Sequence, residues 1–410
     1  MKKLLLVLLI LSLFINHLNA NEKDLQIIQK DKKEYRLLDK ESIQTRQQSQ
    51  KYDWISPIDL SGNIGRNHSF SDESIRNLNN KNTKSASIGF TQSIFESGGI
   101  GFKMDYADNR FKYEMLSWEN QNSQLIYTIY NTLLDIKKLK LEINQNDYRI
   151  VNKDIELIIK KIQYEAGKTD IIELNNAIMS KNLILKEEIA LKNSLKEKEQ
   201  ELAKYTDLKY DEIEILDFQE TNKDIFLDKN YSILEADAKV EMLNSEYKIK
   251  KSQYLPKLSL SAKASYSSQD EKFNSMINDT NKDDATSSGS LILSMPLYDY
   301  TKSSKVQESK IEVLKQKALV NDLKNETAFE YEQIFTKIDT YLKQNETINK
   351  NIKLYEELIG ANKISSEAGM TSKYDLEILE NTKTINEFDI LINKINILQQ
   401  YAKLYFKIKN

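Results

Sequence analysis

Few side chains in this sequence could do covalent chemistry. Cysteine is absent from all 410 residues, and histidine occurs only as His17 and His68. Without thiols there are no disulfides, no thiolate metal sites and no cysteine nucleophile. His68 reads as an exposed loop residue, with no nucleophile and base gathered around it. Gly98-Gly99-Ile100-Gly101 follows a strand pattern and precedes a helical one. Its spacing is not that of a dinucleotide fingerprint, and a strand-to-helix bend explains it better. The sequence therefore predicts no enzyme, no cofactor and no resident metal. The chemistry left to it is that of charge and shape: carboxylates beside helix breaks, among them Glu173 and Asp375, and glycines where the chain must turn.

The elements that hold these residues are long. Glycine is 10 of 410 residues and proline 3, against averages of about 7% and 5%. A chain so poor in turn formers has few turns, which argues against a multi-loop α/β enzyme. Charged residues are 30% and mean hydropathy is -0.58, so it is no bundle of transmembrane helices. The net charge of -3 disfavours nucleic acid as a partner.

Lys2 and Lys3 precede a twelve-residue run, Leu4 to Ile15, that is apolar but for Ser12, and Leu18-Asn19-Ala20 offers a cut site. The run is too short to span a bilayer but suits a signal peptide over 1–20. Residues 21–50 read as a charged helical segment without an assigned role.

Two stretches carry nearly all the turn formers. Seven of the thirteen Gly and Pro residues fall between 54 and 101, and three between 254 and 300. Both stretches alternate. Ile58, Leu60 and Ile64 interleave with Asp59, Ser61 and Asn63, and Leu258, Leu260 and Ala262 with Ser259, Ser261 and Lys263. A period of two gives each strand an apolar and a polar face. The reading is two β-hairpins, over 51–98 and 254–299, with polar loops near 68–84 and 267–287. A soluble sheet with one face on a core would alternate likewise. Small polar residues on the second face favour a transmembrane barrel wall with a polar lumen. Trp54 and Tyr254 open the hairpins, either as an interfacial belt or as ordinary packing.

The rest is helical. Ile129, Ile136, Ile143, Ile150, Leu157 and Tyr164 are spaced by seven, as are Ile334, Tyr341, Ile348 and Tyr355. Such a seam stays on one side of a supercoiled helix. Gly99 to Tyr164 makes about 100 Å of helix at 1.5 Å per residue, a length suited to crossing an aqueous gap. The helical hairpins occupy 99–205 and 300–410, with a connector and helix over 206–253.

The chain repeats itself at an offset near 200 residues. Pro57 answers to Pro256, Ser93-Ile94-Phe95-Glu96 to Pro296-Leu297-Tyr298-Asp299, and Glu165-Ala166-Gly167 to Glu367-Ala368-Gly369. Three landmarks at nearly one offset indicate an internal duplication. Four strands cannot close a barrel alone, so several copies must assemble.

Those hairpin ends, with Ser97-Gly98 completing the first, resemble the strand-to-helix signature of the TolC-like outer membrane efflux protein family. The breaks Tyr164-Glu165-Ala166-Gly167 and Glu367-Ala368-Gly369, with Asp375-Leu376 after the second, resemble that family's helix-hairpin tips. The resemblance covers about residue 50 to the end. It implies a mixed α and β fold: a homotrimer whose twelve-stranded barrel sits in outer-membrane lipid and continues as a coiled-coil α-helical barrel in the periplasm. It also implies a passive exit channel of a tripartite efflux or type I secretion system. Its partners would be a periplasmic adaptor and an inner-membrane pump or ABC exporter. The rival reading is a periplasmic coiled-coil adaptor acting as a scaffold.

The resemblance further assigns residues. Asp375, six after Gly369, would ring the periplasmic gate, and Glu173, six after Gly167, is its counterpart. The family's second gate position is Ile378 here, and its latch positions are Ser366 and Thr371, so the latch is absent or built differently. Gly167, Gly369 and Tyr164 would form adaptor-docking tips. Phe95, Gly98, Pro296 and Tyr298 would mark the strand-to-helix junctions. Three Asp375 carboxylates around a narrow pore would favour cations. The alternative is a solvated Asp near a helix start, favourable to the dipole.

Overall fold

A computed structural model describes residues 25–69, 79–216, 218, 220–270, 282–367 and 372–409. The expected signal peptide, Gly369 and Thr371 lie outside these residues.

The element order is α1 (Lys30–Tyr52), β1 (Asp59–Ser69), β2 (Asn79–Phe95), α2 (Gly99–Glu165), α3 (Ile171–Ala203), α4 (Lys223–Asp228), α5 (Tyr231–Ser252), β3 (Lys257–Asp270), β4 (Lys282–Ser294), α6 (Lys302–Glu367) and α7 (Lys373–Tyr405). A short 3₁₀ turn, Leu25–Ile27, precedes α1. The two longest helices have 67 and 66 residues, and each is followed by one of 33. They stay helical because neither Pro nor a cluster of Gly interrupts them. Gly360 lies inside α6, where a Cβ would meet nothing within 4 Å.

The chain divides into two compact units. One gathers the residues up to 40, 116–234 and 321–410. Its core packs Phe226, Ile334, Ile338, Leu404 and Ile408, with Tyr331, Phe335, Ile397 and Tyr401 against them. An aromatic cluster lies in the same unit, where Tyr130 stacks on Phe406 at 5.5 Å and Phe218 meets Tyr130 edge-on at 5.9 Å. Glu330 on α6 pairs with Lys403 of α7 at 2.8 Å and with Lys407. Burial raises the Glu330 pKa, but hydrogen bonds and charge from the two lysines outweigh it and hold the carboxyl below its usual range.

The heptad stripe is buried where α2 meets this core and exposed toward the hairpin end. Ile129 and Ile136 are fully buried, Ile143, Ile150 and Leu157 half-buried, and Tyr164 is 41% exposed. Fully buried Asn146 and buried Gln145 and Asn152 stand among the apolar positions. Gln145 Nε2 donates to Asp389 Oδ1 at 2.7 Å, and Asn381 donates to Asn152 Oδ1 at 2.9 Å. The seam between α2 and α7 is thus held by amides as well as by apolar contact.

The other unit gathers 41–115 and 235–320 and holds the sheet. Its order is β1-β2-β3-β4, antiparallel throughout. β1 and β4 are its edges. The strands run further than the polar loops foreseen near 68–84 and 267–287, because Ser, Asn, Thr and Lys there pair across the ladder. The pairing continues to Ser69↔Asn79 and Gln269↔Lys282.

Candidate functional site

The sheet register sorts the side chains into two faces. Leu60 pairs with Ile88, Ile88 with Ala264, Leu260 with Leu291 and Leu258 with Leu293. This face is apolar and open, with Leu60 79% and Leu293 73% exposed. The opposite face is lined by hydroxyls. Ser61 bonds Ser87 at 2.8 Å, Thr91 bonds Ser261 at 3.1 Å, Ser93 bonds Ser259 at 3.4 Å and Ser265 bonds Thr286 at 2.8 Å. Ile292 breaks the polar pattern, beside Ser259. An exposed apolar face rimmed by polar residues marks contact with a protein or membrane. Open edges place two rows of backbone groups there as well.

Two strand-to-helix junctions lie between β2 and α2 and between β4 and α6. At the first, Ser97 and Gly98 turn left-handed, with φ of 52° and 87°. Ser97 is tied down by its hydroxyl, which donates to the Pro256 carbonyl at 2.7 Å. A Cβ on Gly98 would lie 3.1 Å from the Phe102 ring. Phe95 is exposed at the strand end. At the second junction, past Pro296, Tyr298 is 85% exposed. The Asp299 carboxylate accepts the Thr301 N–H and hydroxyl, each at 2.8 Å, in the turn just before α6. Tyr254 is buried under Lys302, whose ammonium lies 5.3 Å from its ring centroid, so it is a packing residue.

The first hairpin tip is fully described. Gly167 has φ of +69°, its N–H donates to Tyr164 O at 2.9 Å, and the Lys168 N–H donates to Gln163 O at 2.8 Å. This is a Schellman cap, which the glycine ends in the left-handed region. Asp170 then opens α3, accepting the Glu173 N–H at 2.9 Å. Glu173 turns back to Lys160 on α2 at 2.9 Å. Its carboxylate is committed to an ion pair within the hairpin. At the second tip Ser372 caps α7, and Asp375 lies exposed in the first turn. Glu380 pairs with Lys363 at 3.4 Å. Among the described residues, no group of three or more His, Cys, Asp or Glu could hold a metal ion. Among them, too, no helix is long and apolar enough to cross a membrane.

Sequence reasoning left α1 without a role, and the structure gives it an anchor. Arg36 is buried and donates to Asn122 Oδ1 at 2.6 Å, Gln121 Oε1 at 2.8 Å and the Trp118 carbonyl at 2.9 Å. The Trp118 indole N–H returns a bond to the Arg36 carbonyl at 2.8 Å. Burial lowers the Arg36 pKa, with Asp39 opposing. Two tryptophans in the whole chain, with one inside a long helix, were the available signal.

Known proteins match this arrangement. The family model described as outer membrane efflux protein matches residues 224–403. No curated protein sequence matches at a significant level. Among solved structures, the VceC outer membrane protein of Vibrio cholerae superposes with a TM-score of 0.72 at 12% identity, covering 94% of this chain and 93% of that one. The Campylobacter jejuni CmeC outer membrane channel gives 0.70 at 13% identity, over 92% and 84%. The open-state MtrE outer membrane channel of Neisseria gonorrhoeae gives 0.69 at 11%, over 94% and 87%. At such identities these likenesses show the fold. The outer membrane efflux protein model thus matches residues 224–403, less than half of the chain, and the chain as a whole has the fold of the outer membrane channels it resembles.

Proposed function

We propose that this protein is the outer-membrane exit channel of a tripartite efflux or type I secretion system. Three copies would close a twelve-stranded barrel in lipid, and their helices would form a tunnel into the periplasm. The observation that carries the reading is the two-faced sheet. One face is exposed and apolar, the other hydroxyl-lined, and both edges are free. In a bilayer, free edges leave backbone groups unsatisfied, and closure with other copies removes them. The matched helix lengths, 67 and 66 then 33 and 33, support an internal duplication.

An adaptor and an inner-membrane pump would complete the system, docking on the tips around Gly167, Tyr164 and Gly369. Asp375, exposed and without an ion partner among the described residues, is the better gate carboxylate. Glu173, paired with Lys160, serves better to brace its own tip. Single-channel recording from the purified mature trimer tests this reading, with Asp375→Asn alongside. Cation-selective steps that lose selectivity in the variant support both pore and gate. Unchanged steps would move the gate elsewhere, and a soluble monomer that never inserts would overturn the channel.

A further inference from the structure

One row of the hydroxyl-lined face differs from its neighbours. Asp59 on β1 pairs with Gly89 on β2, and Gly89 pairs with Lys263 on β3. By the alternation of the strands, all three lie on the same face as Ser61, Ser87 and Ser261. The row is bracketed by two hydroxyl pairs, Ser61 with Ser87 and Thr91 with Ser261. Over the four consecutive rows from Ser93–Ser259 to Ser87–Ser265, Asp59 and Lys263 are the only ionisable groups on this face.

The middle position is tight. A Cβ at Gly89 would come 3.0 Å from the Ala262 carbonyl oxygen and 3.3 Å from Lys263 Cβ. The acid and the base therefore face each other across a bare strand. Their Cα atoms stand about 10 Å apart, two strand spacings. Both are exposed, and neither has an ion-pair partner among the described residues. Neighbouring hydroxyls bond one another, so both charges remain available to whatever passes over the sheet.

We propose that Asp59 and Lys263 form a charge-selecting row in the conduit, which balances its preference between cations and anions and favours solutes carrying both charges. This rests on the channel reading above, in which the hydroxyl face lines the lumen. Three copies would then set six charges of alternating sign around one level of the barrel. A ring of one sign selects the opposite ion. An alternating ring has no net sign, and its transverse field acts on dipolar solutes instead.

The test is the reversal potential of single trimers across a salt gradient at low ionic strength. The Debye length is about 30 Å at 0.01 M, so wall charges reach the axis. Relative to wild type, Lys263→Gln should raise the cation-to-anion permeability ratio severalfold and Asp59→Asn should lower it severalfold. The double variant should return near the wild-type ratio. Conducting channels whose ratio none of these variants moves would overturn the proposal and leave the channel reading standing. A second readout covers trimers that pass no current, and it uses the absence of cysteine. In outer membranes a charged, impermeant thiol reagent should modify Lys263→Cys and spare Ile88→Cys, which lies on the apolar face. Modification of Ile88→Cys alone would overturn the face assignment, and the channel reading with it.

Discussion

Arg36 and Trp118 hold each other twice: the Arg36 guanidinium donates to the Trp118 carbonyl at 2.9 Å, and the Trp118 indole N–H donates to the Arg36 carbonyl at 2.8 Å. The reciprocal bond pins α1 to α2 by a group that only tryptophan supplies at that place. Trp118→Phe removes the indole donor, while the Arg36 carbonyl keeps its bond within α1, a loss of about 1 kcal/mol. Limited proteolysis within 30–52 should accelerate in this variant while the rest of the helical unit stays resistant.

Glu330 makes stability depend on acid. Its folded pKa lies below 4.5, the unperturbed value, because Lys403 and Lys407 outweigh the cost of burial. A depressed carboxyl contributes stability that is complete above the unfolded pKa and is lost as pH falls through the folded one. Glu330→Gln should cost about 1–2 kcal/mol at pH 7. It should also remove part of the acid sensitivity below about pH 4.5. Thermal unfolding across pH 3–7, compared with wild type, checks the sign.

Gly167 separates backbone strain from crowding. Its φ is +69°, yet a Cβ there would touch nothing within 4 Å. Gly167→Ala should therefore cost about 1–2 kcal/mol of tip stability from the left-handed conformation alone. Gly167→Asn should cost less, since Asn tolerates that region. Amide exchange of 160–173 reads the difference.

Gly89 is the opposite case. Its backbone is ordinary, but an added Cβ meets the β3 backbone at 3.0 Å. Gly89→Val should disrupt pairing of β2 with β3 and lower the yield of the proposed trimer, seen on unheated gels. Gly62, whose nearest contact would be Ser85 O at 3.9 Å, should accept Ala without loss.

Much of the fold was legible because its determinants are local. Gly98 and Gly167 turn left-handed where glycine was expected to end an element, and the Leu60, Ile64 alternation marks a real two-faced strand. The seven-residue spacing identified Ile129 and Ile136 correctly, and it also marked Tyr164, which is exposed. Periodicity finds a helix face, while burial depends on what packs there. The interhelical amides were not legible: Gln145 and Asn152 find partners more than 200 residues away, on α7. The family resemblance makes Glu173 a candidate gate carboxylate, whereas its bond to Lys160 is visible only in the folded hairpin. The Asp59–Gly89–Lys263 row likewise exists only once the register aligns three strands.

The sheet's two free edges also bear on inheritance. In the proposed ring of three chains, β1 of one copy would pair with β4 of the next, since these are the two edges of the sheet. A chain altered on one edge still offers a sound surface on the other, so it can be recruited into a ring that then fails to seal. With random mixing of equal amounts, about one ring in eight would hold only sound chains. A damaged edge should therefore behave as a dominant-negative allele, whereas loss of the whole chain would be recessive.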